Sequence, residues 1–306
     1  MSQDLLDILA ANVPSVARWA GAIARQLRGR DIVLGGKQSG IASADALTLA
    51  DLALQELLVA ALRDMGPIVR ACRLEAEESS GDLHAFATDG DVVIGLDPID
   101  GTLMYRDQTG NGYAVMLHVR TPDTILYSLV YLPEAAPQGL WLEARDRRIV
   151  LGPDDTRQTA RAVLDALPPL TAGSRSESRR VVLSDLFAGD DAVTRAVIAA
   201  GFEPVFGARL LDSVFTVLAR GDVAGVITHT PNVYDFPVAA HIARLLGGDA
   251  VWARTGRPID FRSIWYDERS RALRLPGIVV YAADRRVVQS LVEIARNWNP
   301  ERYDRP

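Results

Sequence analysis

Residues 67 to 144 hold successive runs of β-branched or alternating apolar residues, at 67–76, 91–97, 112–120, 124–132 and 139–144, separated by Gly, Pro and Asp. Strands that follow one another this closely favour a largely antiparallel sheet. The stretch 152–179, rich in Asp, Pro, Ser and Arg around the short helical run ARAVLDAL, reads as a boundary. Beyond it the rhythm changes. RRVVLS, DDAVTRAVIAAG, EPVF, RLLDSVFTVLARG, VAGVIT and YDFPVAAHIARLLGG alternate strand with helix, the pattern of an α/β unit. The expectation is an α+β half over residues 1–155 and an α/β half over 156–306. Ahead of the strands, residues 45–64 place Leu47, Leu54, Leu57, Leu58 and Leu62 at helical spacing behind Asp45 as the expected cap. The amino-terminal 27 residues read as an amphipathic helix in two segments divided near Pro14.

The 306 residues, 48% hydrophobic and 24% charged, suffice for a large core. With a formal charge of −6 and scattered arginines there is no basic footprint for a nucleic acid. Cys72 is the only cysteine, which excludes an internal disulfide and multi-cysteine zinc sites and fits a reducing, cytoplasmic compartment. Asp4, Asp7, Pro14, Arg18 and Arg25 interrupt the amino-terminal stretch, so it lacks the apolar length of a membrane span. His84, His118, His229 and His241 lack metal-ligand spacing and read as core or surface imidazoles. LGGKQSG resembles a phosphate loop only in Gly-Gly-Lys. Asp31 stands where its first glycine belongs and Gln38 where Ser or Thr belongs.

The segment GLDPIDGTLMY, residues 95–105, carries the most chemistry. Asp-Pro and Asp-Gly are favoured turn dipeptides, so one reading is an ordinary turn between strands. The other is that Asp97, at the end of a buried strand, and Asp100 are turned toward one point. Two carboxylates forced together either take up protons or recruit a hard divalent cation, and an all-oxygen donor set favours Mg²⁺ over zinc. Gly101 and Thr102 then present backbone N–H groups where a helix can begin and a phosphate oxygen can be received. Elsewhere, Glu77 and Glu78 can be read as a solvated charge pair, Asp51 as a polar-face residue, and Asn232 with Asp235 as a capping arrangement.

DPIDGT after an apolar strand resembles the signature of the inositol monophosphatase family, Mg²⁺-dependent, lithium-sensitive phosphomonoesterases. LEAEESS resembles the family's Glu-Glu-Ser segment, DALTLAD its Asp-x-x-Thr-x-x-Asp helix start, and YDFPVAAHIARLLGGDAV its second signature. The similarity runs in order from about residue 37 to 260. It implies the layered αβαβα sugar-phosphatase fold and two to three Mg²⁺ per site. Glu77, Asp97 and the Ile99 carbonyl would hold one ion, and Asp97, Asp100 and Asp235 a second. Asp51 with Thr102 would orient a metal-activated water and accept its proton, Glu77 would share in the catalytic set, and a third, weaker ion would lean on Glu77. The N–H groups of Gly101 and Thr102, together with Asp235 and Lys37, would serve the phosphate, and Glu78 would support the ligands from behind. Family members are often homodimers, and the implied partner is a small phosphorylated metabolite.

Some positions depart from the family pattern. Thr-x-Asn-Phe is replaced by Thr102, Leu103, Met104 and Tyr105, the Trp-Asp pair is Tyr234-Asp235, and VFGARLLDS stands where Arg-Ser-x-Gly is usual. Thr228 occupies the place of a Glu that contacts sugar hydroxyls in members acting on inositol phosphates, so an inositol phosphate is not assumed. Arg209 and Asn232 are candidate pocket residues. The leading reading is a Mg²⁺-dependent phosphomonoesterase; the alternative is a catalytically weakened member serving as a regulatory or binding module.

Overall fold

The computed structural model describes residues 2–30, 33–34, 46–171 and 177–301. Lys37 and Asp45 lie outside the described residues. Two sheets and three helical layers alternate. The first sheet has the order β1 (Arg73–Ala76), β2 (Val93–Asp100), β3 (Ala114–Arg120), β4 (Ile125–Leu132), β5 (Leu140–Arg145), β6 (Arg148–Pro153). Only β1 and β2 are parallel, and every other neighbour is antiparallel. α1 (Ser2–Leu27) and α2 (Leu49–Asp64) cover one face, and their buried stripes share a core with Ile94, Leu96, Val115 and Leu117.

The second sheet has the order β10 (Asp249–Trp252), β13 (Ile278–Ala282), β9 (Gly225–His229), β7 (Arg180–Leu183), β8 (Glu203–Phe206). β7 runs parallel to β8 and β9, whereas β13 is antiparallel to β9 and β10. α7 (Val214–Arg220) and α8 (Phe236–Leu245) lie between the sheets; α8 touches β3 and β4 on one side and β10 and β13 on the other. That position explains its sequence, because a helix covered on all sides has no polar face, and residues 236 to 243 are all buried. α6 (Asp191–Ala199) and α9 (Arg285–Ala295) close the outer face of the second sheet. The result is the αβαβα layering that the family resemblance implies. A short helix α3 (Pro67–Arg70), a turn of helix α4 (Thr102–Asp107), α5 (Ala160–Ala166) and a hairpin of β11 (Trp265–Asp267) and β12 (Ala272–Arg274) complete the elements used below.

Several sequence expectations need correction. α1 is one helix, not two segments. Pro14 has no N–H to give to Ala10, and the Ala10 carbonyl instead accepts Nη1 of Arg161 at 3.2 Å. Leu5, Leu9, Val13, Ala17, Ala20 and Ala24 then form one uninterrupted buried stripe. The expected strand 67–76 begins as a helical turn: Gly66, at φ 116°, and Pro67 at the first helical position start α3, and strand geometry waits until Arg73. The helix expected over 45–64 starts at Leu49 with Thr48 as its cap. The run 209–220 becomes helical only at Val214, where the Ser213 hydroxyl accepts the Phe215 N–H at 3.3 Å.

Candidate metal site

In a regular strand, residues three apart face opposite sides. Asp97 pairs with Met116 but Asp100 pairs with Ala114, so β2 spends one more residue than β3 over this interval. This bulge reverses the parity and brings both carboxylates to one side. Pro98 sits inside it, the position where a strand tolerates a missing N–H. Gly101 follows at φ 80°, a conformation that glycine adopts without penalty, and turns the chain into α4.

Asp235 is the residue that opens α8. Asn232 prepares the turn, its Oδ1 accepting the N–H groups of Tyr234 at 2.9 Å and Asp235 at 3.1 Å. The Asn232–Asp235 spacing therefore is a capping turn, yet the Asp235 side chain makes no cap bond of its own. Asp97, Asp100 and Asp235 each offer a carboxylate oxygen, all within 4.8 Å of one another. Glu77, just beyond β1, donates its N–H to the Leu96 carbonyl at 3.1 Å, and its charge adds to the rise in the Asp97 pKa. Glu77 and Glu78 are thus no solvated pair. All four acids of the cluster line one cavity of about 340 Å³ between the sheets, with Ile99, Gly101 and Thr102 in the same wall.

Such crowding raises the carboxyl pKa values. Burial pushes Asp97 well up, with the charges of Glu77, Asp100 and Asp235 adding to it. Asp100 is raised by burial and then by Asp235 and Glu77. Asp235 reaches about 7, through burial and Glu77, against the lowering effects of Asn232 and Arg274. Among the described residues, Oδ1 of Asp97 is buried without a hydrogen-bond partner. Mutually repelling carboxylates around an orphaned acceptor are what a hard divalent cation relieves, so this donor set fits Mg²⁺.

Asp51 is neither exposed nor merely a polar-face residue. It is buried at the third position of α2, where Oδ2 accepts the Thr48 N–H at 2.7 Å and the Thr48 hydroxyl at 2.6 Å. Its Oδ1 lies 3.1 Å from the hydroxyl of Thr102, which also reaches the Ile99 carbonyl at 2.8 Å. Burial raises Asp51 to about 6, partly offset by Thr48, with Glu77 adding to the rise.

The remaining candidates separate cleanly. Glu78 is buried, but its carboxyl does not line the cavity; its backbone exchanges hydrogen bonds with the Gln55 amide at 2.8 and 2.5 Å, which fixes the neighbour of Glu77. Met104 lines the cavity and its Sδ accepts the Gly112 N–H at 3.3 Å, so the thioether carries a hydrogen bond where the family has an amide. Thr228 and Asn232 line the cavity, whereas Arg209 does not. His229 reaches the wall, but its ring nitrogens lie 3.3 Å from the Thr230 hydroxyl and 3.3 Å from the Asn299 carbonyl, a structural placement. Thr48 belongs to the DALTLAD motif, but its bond to Asp51 was signalled only by the Ser/Thr-x-x-acid capping pattern; sequence reasoning missed Gln55, Ser270 and Arg274, of which Gln55 alone carried a signal, a lone amide on an apolar helix face.

A search of curated proteins finds no sequence match to this chain. Solved structures do share its fold. The extragenic suppressor protein SuhB of Bartonella henselae is 14% identical, covers 97% of this chain and all of its own, with a TM-score of 0.65. The IMPase of Thermotoga maritima is 15% identical over 96% of this chain and 98% of its own, with a TM-score of 0.64. An IMPase/NADP phosphatase described in complex with Mg²⁺ and phosphate is 16% identical over 98% of this chain and 97% of its own, with a TM-score of 0.68. Among the described residues no helix is long and apolar enough to cross a membrane. The model of the inositol monophosphatase family matches residues 4–294, nearly the whole length, and the chain therefore belongs to the inositol monophosphatase family.

Proposed function

We propose that the protein is a Mg²⁺-dependent phosphomonoesterase that hydrolyses a small phosphorylated metabolite. The observation that carries this reading is the convergence of Glu77, Asp97, Asp100 and Asp235 on one cavity. Glu77, Asp97 and the Ile99 carbonyl would hold one ion, and Asp97, Asp100 and Asp235 a second. Bound Mg²⁺ supplies a Lewis acid for the phosphoryl oxygens and a lowered pKa for an attacking water.

The protein's own groups then divide the work. Asp51, fixed by Thr48 on one oxygen, leaves the other to Thr102; this pair orients the attacking water and takes its proton. A carboxyl raised to about 6 suits a base operating near neutrality better than an ordinary aspartate does. Gly101 and Thr102 line the cavity, and their backbone N–H groups would offset charge developing on a phosphoryl group bound there. Burial at the foot of the cavity excludes bulk water and strengthens each of these contacts.

The neighbour described with Mg²⁺ and phosphate supports this reading by its shared fold. Thr228 in the cavity wall supplies no carboxylate for a polyol, so sugar phosphates and other small phosphate monoesters are as suitable as an inositol phosphate. The test is release of inorganic phosphate from a panel of phosphorylated sugars, nucleotides and amino alcohols at fixed Mg²⁺. Activity abolished by EDTA and lowered at least about 100-fold in Asp97→Asn, beyond the effect of disturbing an outer partner, is the expected result. Wild type and Asp97→Asn equally inert across the panel would support a binding module instead.

A further inference from the structure

Asp235 reaches the cluster from the irregular loop 230–234, whose backbone is held from outside. Thr230 is buried at φ 43°, a left-handed conformation that a β-branched residue disfavours. Strand β12 lies along this loop. Asn232 and Arg274 form an isolated antiparallel bridge, Val233 donates its N–H to the Leu273 carbonyl at 3.0 Å, and Leu275 donates to the Pro231 carbonyl at 2.9 Å. The Leu273 N–H in turn donates to the Tyr234 hydroxyl at 3.0 Å.

Arg274 adds the contact that reaches the strained residue: its Nη1 donates to the Thr230 carbonyl at 2.9 Å. Its guanidinium cannot swing, because Nε lies 3.1 Å from Oδ2 of Asp267 and Nη2 lies 3.0 Å from the Ser270 hydroxyl. The Ser270 hydroxyl itself donates to Asp267 at 2.5 Å. The Arg274 and Asp267 side chains are only 9% and 4% exposed, and both anchors, Asp267 and Ser270, belong to the hairpin. Arg274 and Ser270 also form part of the cavity wall beside Asp235.

We infer that the β11–β12 hairpin is a clamp that presets the loop carrying Asn232 and Asp235 for divalent-cation binding, with Arg274 as its positioning residue. The inference rests on the reading of Asp235 as a Mg²⁺ ligand. Its sign separates it from a simple charge effect. With Asp235 ionised, a guanidinium beside the site repels a cation, so removing that charge should tighten binding if electrostatics alone were at stake. A clamp predicts the reverse: without the bond to Thr230 the loop relaxes, and Asp235 must be reordered each time an ion binds.

The test is calorimetric titration of the full-length, substrate-free protein with Mg²⁺ at an alkaline pH that keeps Asp235 ionised in every variant. Wild type should bind, and Arg274→Met should bind roughly 10-fold more weakly with its circular dichroism unchanged. Tyr234→Phe removes the hydroxyl that accepts the Leu273 N–H and should weaken binding by about 5-fold, the worth of one hydrogen bond. Equal or tighter binding by Arg274→Met overturns the clamp while leaving the phosphatase proposal standing. Should Arg274→Met not fold, Tyr234→Phe decides, and wild-type affinity in that variant overturns the clamp. A wild-type protein that binds no Mg²⁺ overturns the clamp and the metal-site reading together.

Discussion

The Thr102 hydroxyl lies 3.1 Å from Oδ1 of Asp51, and it ties the start of α2 to the start of α4 at the foot of the cavity. Asp51 thereby does two jobs at once, capping a helix through Oδ2 and holding Thr102, which lines the cavity, through Oδ1. Asp51→Asn is expected to lower kcat by about 100-fold, the lower end of a general-base contribution, with little change in KM. Thr48→Ala removes the capping hydroxyl and should cost about 1 kcal/mol of stability. Steady-state kinetics and denaturant titration measure the two effects. A fully active Asp51→Asn would remove Asp51 from the catalytic set.

Metal-free stability should depend on pH in a direction set by the raised carboxyls. Asp235 titrates near 7 and Asp51 near 6 in the folded chain, against about 4 when unfolded. As pH rises through this window, the folded state surrenders protons that the unfolded state has already lost, so this contribution to stability is full below about pH 4 and fades toward pH 7. Mg²⁺ binds the deprotonated carboxylates. The increase in Tm given by saturating Mg²⁺ should therefore grow between about pH 5 and about pH 8. His118 and His241 have the opposite dependence, their pKa values lowered by burial, His241 to about 4, but they contribute equally with and without the ion. A Tm increment that stays flat across this range would contradict the account.

Gly95 pairs with His118 across β2 and β3, and a Cβ there would lie 1.9 Å from Cε1 of the imidazole. The ring is fully buried, with Nδ1 3.2 Å from the Tyr234 carbonyl, so it has no room to move aside. Gly95→Ala should destabilise the protein by about 3 kcal/mol. Combined with His118→Ala, the penalty should fall short of the sum of the two single changes by about 1 kcal/mol or more. Denaturant unfolding of the three variants closes the cycle, and additive effects would disprove the steric coupling.

Much of this architecture is written locally. The antiparallel run from residue 91 to 145 and the alternation beyond residue 180 follow from periodicity and turn residues, and the acidic cluster follows from turn chemistry joined to a family resemblance. Where the sequence reading erred, distant partners or neglected start signals decided. Pro14 sits in an unbroken helix because Arg161, far along the chain, satisfies the carbonyl that it orphans. Ile68 and Val69 looked like strand, yet Gly66 and Pro67 start a helical turn. The bulge that turns Asp97 and Asp100 to one side exists only as a mismatch with β3, and Arg274 gains meaning only when its hairpin meets a loop more than forty residues away in sequence.

The central claim is that Glu77, Asp97, Asp100 and Asp235 surround shared divalent ions. Anomalous diffraction at the manganese edge, from crystals soaked in Mn²⁺, tests it most directly. The account predicts peaks inside this carboxylate cluster, lost in Asp97→Asn crystals. A well-ordered cluster with no anomalous peak among these side chains would contradict it.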